Sequence, residues 1–285
     1  MEGVLNFFID VLKFGLPYSV LALGIFISYR ILDFADLGAE GSYTLGGAVV
    51  AICLYHSLNP FLSLLISIVC GFLAGIITGV LHTKLRIPKL LSGIITMTAL
   101  FSINMFIMGF GSKGNTSGYA SNVYLNGKNT NGVVIKTIYD TFLGFFSAKN
   151  YNIIFINILL VVLVLAIIYF FFGTEIGMSV RSTGMNEAMS RAQGINTSLM
   201  IILGLGISNA LIAMSGALYT QVNRTANNTM GVGVLVIGLA SIIIGEAIFG
   251  KRSFKNWILS VTFGAVIYYL VICLALKLGL PDYCK

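Results

Sequence analysis

The chain has 285 residues, 57% of them hydrophobic and only 9% charged, against about a quarter charged in an ordinary soluble domain. With a mean hydropathy of +0.94 and 20 Phe, 32 Gly and 4 Pro, it is not a disordered chain, a collagen or a nucleic-acid-binding domain; a protein of the bilayer remains. The net charge of +7 is scattered between apolar runs and forms no single basic face for nucleic acid.

A membrane-crossing helix needs about 20 largely apolar residues. Eight runs qualify, at approximately 11–29, 43–58, 61–81, 91–110, 152–172, 199–220, 231–249 and 257–277, the second being short. They are too long, and alternate too little, for an outer-membrane barrel. The expected fold is all-α: a polytopic membrane protein of about eight transmembrane helices, one short or broken, in a single domain over 1–285. Glu2 and Asp10 stand where a signal peptide would carry positive charge, and no small-residue cleavage pattern follows. The first helix is therefore expected to be retained, which fits a bacterial inner membrane.

After the first run comes Arg30 to Tyr43, R-I-L-D-F-A-D-L-G-A-E-G-S-Y. Asp33, Asp36 and Glu40 would each cost about 2.5–3.5 kcal/mol at a bilayer centre. Two readings stand: a solvated cytoplasmic loop, or a re-entrant, protein-lined break beside a translocation path, favoured by Gly38, Gly41 and Ser42. In the third run Gly71, Gly75 and Gly79 form a small-residue row for close helix packing. The fourth carries Thr96, Thr98, Ser102 and Asn104, and the sixth Ser208, Asn209 and Ser215. Hydroxyls often bond their own helix, but Asn104 and Asn209 need a partner across the bundle or a wet cavity.

The long polar stretch from Gly111 to Asn150 reads as an external loop. Ile135, Ile138, Phe142 and Phe145 within 133–148 suit a helix lying on the membrane surface, either capping the bundle or docking a soluble partner. Residues 173–198 read as a cytoplasmic loop enclosing a short amphipathic helix. Asn186 caps it, Glu187 pairs with Arg191 four residues on, and Gly194 supplies a left-handed stop. Such a knob either connects two spans or docks in another protein's groove.

Assigned by alternation, one set of loops holds Arg30, Lys84, Arg86, Lys89, Arg181, Arg191, Lys251, Arg252 and Lys255, and the other Lys113, Lys128, Lys136, Lys149 and Arg224. The first set is cytoplasmic by the positive-inside rule, which places both termini outside. Lys285 ends the chain soon after the last run, so truncation or non-native final residues are expected there.

Sites for chemistry are sparse. Cys53, Cys70, Cys273 and Cys284 show no C-x-x-C spacing, so neither a disulfide nor a metal framework is expected. His56 and His82 sit at span ends without clustered carboxylates. Gly245, Gly250 and Lys251 match G-x-x-x-x-G-K, but Arg252 stands where a hydroxyl is required and an apolar span precedes it, against a phosphate-binding loop. ATP, if it powers the protein, is expected on another chain. An ion-coupled secondary transporter using Glu40 or Glu246 is the rival reading, and an intramembrane enzyme a third.

Residues Glu187, Ala188, Arg191, Ala192, Gly194, Ile195 and Asn196 resemble the coupling segment E-x-A-x-x-x-G-I-N of the permease subunits of bacterial ABC importers, in the branch of the branched-chain amino acid and ribose permeases. The glycine follows the glutamate by seven residues, not the usual six. The stretches 30–48 and 81–104 are similar to permeases of the tryptophan/tyrosine type. The resemblance implies a permease dimer, two cytoplasmic ATPase subunits holding ATP and Mg, and an extracellular or periplasmic solute-binding protein, with no cofactor in this chain. It assigns coupling to Asn186, Glu187, Ala188, Arg191 and Gly194. With the polar positions above, it makes Glu40, Ser42, Tyr43, Thr96, Thr98, Asn104 and Asn209 candidate pathway residues, with the short second span at the dimer interface. An aromatic amino acid or similar compound is the implied solute, and a nucleobase, a vitamin precursor or another small amphipathic solute would fit the same helices.

Overall fold

The computed structural model of the chain describes residues 2–109, 122–125, 135–141 and 149–277. In order, the elements are α1 (Glu2–Ile25), which continues as a π-helical turn over Phe26–Ile31; α2 (Gly38–Tyr55); α3 (Pro60–Thr83); α4 (Lys89–Gly109); β1 (Asn122–Tyr124); α5 (Ile138–Thr141); α6 (Lys149–Gly173); α7 (Glu175–Met185); α8 (Glu187–Ala192); α9 (Thr197–Asn223); β2 (Thr225–Asn227); α10 (Val234–Phe249); and α11 (Phe254–Lys277).

Among the described residues α1, α3, α4, α6, α9 and α11 are long and apolar enough to cross a membrane. The other two of the eight expected runs are the exceptions. α2 starts at Gly38, five residues before its apolar run, so it carries Glu40 and Ser42 on its first turns. α10 has 16 residues, about 24 Å of helix, so it is shorter than α2. Local chemistry sets several ends. Asn59 caps α3 by accepting the Phe61 N–H at 3.1 Å, with Pro60 at the first helical position. Pro17 is tolerated inside α1, and its carbonyl accepts the Ser215 hydroxyl of α9 at 2.7 Å.

α9 is the central post, packed by α1, α2 and α3. The glycine row of α3 explains the closest of these contacts. A Cβ on Gly71 would lie 2.4 Å from the Ala213 Cβ, one on Gly75 2.2 Å from the Leu205 carbonyl oxygen, and one on Gly79 2.8 Å from the Ile202 Cα. Ser67 on the same face donates to both the Gly46 and Ala213 carbonyls at 3.3 Å, tying α2, α3 and α9 together.

Ion pairs close both ends of the bundle. At one end Glu246 pairs with Arg30 and with Lys251 (2.8 Å) and accepts the Trp257 indole N–H at 2.8 Å, while Lys89 donates to the Asp33 carbonyl at 2.9 Å. At the other, β1 and β2 form an antiparallel pair, and Arg224 bonds both oxygens of Asp140 at 2.8 and 2.6 Å. The expected surface helix of 133–148 is corrected where it is described: α5 is a single turn, and Ile135 and Ile138 are buried in the protein core. The Ile138 N–H is bonded to Gln221 of α9 at 2.9 Å. Phe142 and Phe145 lie outside the described residues.

Candidate coupling and pathway sites

The acidic stretch is a re-entrant break. The chain turns at Asp33, which is exposed and has φ +50°; the Phe34 N–H then bonds back to Ser28 (2.9 Å) and the chain climbs into the bundle. Asp36 is fully buried. One of its oxygens accepts the Gly38 N–H at the start of α2, and the other the Asn209 amide, both at 2.8 Å. Asn209 falls near the middle of the 27-residue α9, so the carboxyl sits at membrane depth in an all-protein setting, as backbone irregularity there requires. Gly93 makes room for it, since a Cβ there would lie 2.7 Å from the Leu37 N.

One turn further, Glu40 reaches from α2 to α10. Its carboxylate accepts the Gly233 N–H at 3.0 Å, capping α10 inside the bundle. Gly233 has φ +81°, a left-handed conformation that glycine adopts without a steric penalty, and Gly231 lies against the Glu40 carbonyl, which a Cβ would approach to 2.1 Å. Two helix starts thus meet at one carboxylate, as in transporters whose interrupted helices build the solute site. Beside it lies a crevice of about 20 Å³, walled by Glu40, Gly41, Thr44, Asn104, Asn228 and Gly231, with Met97, Phe101 and Val232 toward the outside.

Of the expected pathway residues, the structure brings Glu40 and Asn104 together here and disperses the rest. Asn104 donates to the Gly41 carbonyl at 3.1 Å. Asn209 holds Asp36, Ser42 is buried away from the crevice, and Tyr43 packs on Tyr219 (ring centroids 6.1 Å apart) with 1% exposure. Thr96 is buried against Thr78, whose hydroxyl donates to it at 3.0 Å. Thr98 faces outward and bonds only its own helix, at Ile94 and Ile95. Two residues apart on a helix, Thr96 and Thr98 cannot share a face. The expected place of α2 is also corrected: it is enclosed within the protomer by α3, α4 and α9. Sequence reasoning missed Asn228, whose only signal was an amide in a loop between two apolar runs.

At the end of the bundle expected to be cytoplasmic, two helices fill the expected loop. α7 was not anticipated, although Thr174 caps it by accepting the Gly177 N–H at 3.2 Å. α8 is the expected knob. Asn186 accepts the Met189 N–H at 3.0 Å, the Glu187–Arg191 pair closes at 2.5 Å, and Gly194 has φ +84°. Arg191 also donates to the Thr197 hydroxyl at 2.9 Å, and Ser190 meets Ser182 at 2.8 Å, so α8 is clipped to both α9 and α7. Ala188 is exposed, and Met178, Met185 and Met189 stand open around a groove of about 440 Å³. A second cleft of about 570 Å³ runs between α8 and the α3–α4 turn, with His82, Arg86, Glu187 and Arg191 on its walls.

The sequence pattern of the family described as "Branched-chain amino acid transport system / permease component" matches residues 7–280. The chain is 38% identical over 280 residues to a "Tyrosine transport system permease protein" of Clostridioides difficile, covering 98% of this chain and 85% of that one. It is 31% identical to "Uncharacterized protein RP368" of Rickettsia prowazekii, over 97% of this chain and 91% of the relative. It is 24% identical to "Ribose import permease protein RbsC" of Haemophilus influenzae, over 82% of this chain and 64% of the relative.

Proposed function

The chain belongs to the family of branched-chain amino acid transport system permease components, and from that premise we propose how it divides the labour of import: α8 takes the thrust of the ATPase, and the α2–α10 junction borders the solute path. It is a multi-pass membrane permease subunit of an ABC importer, a transport component that works with an ATPase and a binding protein.

One observation carries the coupling role. A helix of six residues is too short to persist alone in water, yet α8 is capped, ion-paired and bonded to its neighbours while displaying Ala188 and Met189 outward. That is the build of a stiff contact point, and exposed methionines suit a partner surface that must repack as it moves. ATP and Mg belong to the ATPase in this reading, and this chain has no nucleotide site of its own. Closure of the ATPase pair pushes α8, and the Arg191–Thr197 link passes the motion to α9 and so to the junction where α2 and α10 start. A second copy of the chain completes the path, and the bacterial inner membrane is the site of action. Tyrosine or another aromatic amino acid is the proposed solute, supported by the name of the 38% identical relative.

The test is to purify the complex through a tag on this chain, identify what accompanies it, and measure ATP hydrolysis in nanodiscs. Co-purification of an ATPase whose hydrolysis rises with tyrosine-loaded binding protein is expected. A chain that purifies alone and transports on an ion gradient would overturn the reading.

A further inference from the structure

We infer that the crevice beside Glu40 is a binding site for a compact primary ammonium group, the amine of the transported solute; this rests on the reading of the α2–α10 junction as part of the path. Three residues that carry acceptor oxygens line it. Glu40 supplies a carboxylate that already takes the Gly233 N–H and keeps lone pairs for further donors. Asn104 spends its NH₂ on the Gly41 carbonyl, which leaves its Oδ1 buried and unpartnered. Asn228, 4% exposed, likewise has a buried Oδ1 with no partner. Among the described residues, no lysine or arginine lines the crevice.

The ligand's chemistry follows from that inventory. An ammonium group offers three donors and no acceptor, matching three acceptors and cancelling one negative charge. A carboxylate would meet Glu40, and a sugar hydroxyl brings one donor and no charge. A guanidinium is too large, because about 20 Å³ holds a single group the size of water. Phe101 at the mouth, 46% exposed, presents an aromatic ring that favours a cation. Capping α10 accounts for Glu40 alone; a donor-rich guest would satisfy the two amide oxygens as well.

The test uses the permease–ATPase complex in nanodiscs with methylammonium chloride as probe. At about five times its dissociation constant, methylammonium should raise the thermal midpoint by about 2–4 °C, and equal tetramethylammonium, with no N–H donor, should not. Glu40→Gln keeps an acceptor for Gly233 and should abolish the shift, and adding Asn228→Asp to that variant should restore it by returning a charge to the opposite wall. No shift in the wild type, or an undiminished one in Glu40→Gln, overturns the site. An equal shift from sodium chloride overturns the ammonium assignment in favour of an inorganic cation. In proteoliposomes supplied with binding protein, L-tyrosine uptake should exceed that of N-acetyl-L-tyrosine by about tenfold or more, the loss expected from a missing charge-assisted hydrogen bond. Equal uptake of the two overturns the site. If the wild type carries no tyrosine, the solute is wrong, and the methylammonium shifts still decide the site independently.

Discussion

Replacing Glu187 and Arg191 together with alanine should break coupling while sparing the bundle. Their side chains are 41% and 63% exposed, so the pair itself is worth at most about 0.5 kcal/mol. Losing the Arg191–Thr197 and Thr197–Glu187 hydrogen bonds (2.9 and 3.3 Å) adds about 1 kcal/mol, softened by water at this exposed end. For the whole chain a loss of about 1 kcal/mol lowers the thermal midpoint by roughly 2–4 °C. Locally it is decisive. α8 has six residues and one side-chain cap, that of Asn186, worth about 1 kcal/mol, so removing a similar amount disorders the knob about fivefold more often. The assay is solute uptake per ATP hydrolysed in proteoliposomes, with the midpoint read in parallel. Uptake per ATP should fall by up to about fivefold. An unchanged ratio, or a midpoint lower by more than about 10 °C, would refute the reasoning.

Three other expectations follow from packing and polarity. Gly75→Val should prevent assembly, measured as loss of monodisperse protein on size exclusion, because its Cβ would meet the Leu205 carbonyl at 2.2 Å; Gly173→Ala, with nothing within 4 Å, should be silent. Asp36→Ala strands the Gly38 N–H and the Asn209 amide in the core and should cost about 2–4 kcal/mol, whereas Asp36→Asn keeps an acceptor and should cost under about 1.5 kcal/mol by denaturation. Equal losses would deny the capping role. Glu40→Gln should depress uptake more than Glu246→Gln, since it removes the carboxylate charge that borders the crevice while Glu246 is an end-group ion pair; superimposable uptake curves would count against it.

Features that repeat along one helix or close within a few residues were legible. The glycine row on α3, the eight apolar runs and the caps of α8 all emerge from local sequence, because each is contained in one continuous stretch of chain. The depth of Asp36 was not legible, since loop and re-entrant break share one local sequence and only Asn209, 173 residues away, decides between them. Thr96 and Thr98 illustrate a subtler miss. Both are hydroxyls in an apolar run, but 200° of helical rotation separates them, and the run is apolar on every side, so periodicity gives no phase. Asn228 and the Arg224–Asp140 pair stand in connections where no periodicity exists.

The Asp36–Asn209 bond also sets a schedule for biogenesis. At about 5–20 residues per second, the 173 residues between the two partners take about 10–35 s to synthesise, and over that interval α9, the post on which α1, α2 and α3 pack, does not exist. The α3 glycine face, Ser67 and the carboxyl of Asp36 all wait without their partners. Insertion of the first four helices must therefore precede their packing on α9, and the Asp36 carboxyl lacks its Asn209 partner until α9 arrives. A nascent chain released before Asn209 would hold helices with nothing to close around, which makes α9 the point at which the subunit becomes a folded protein.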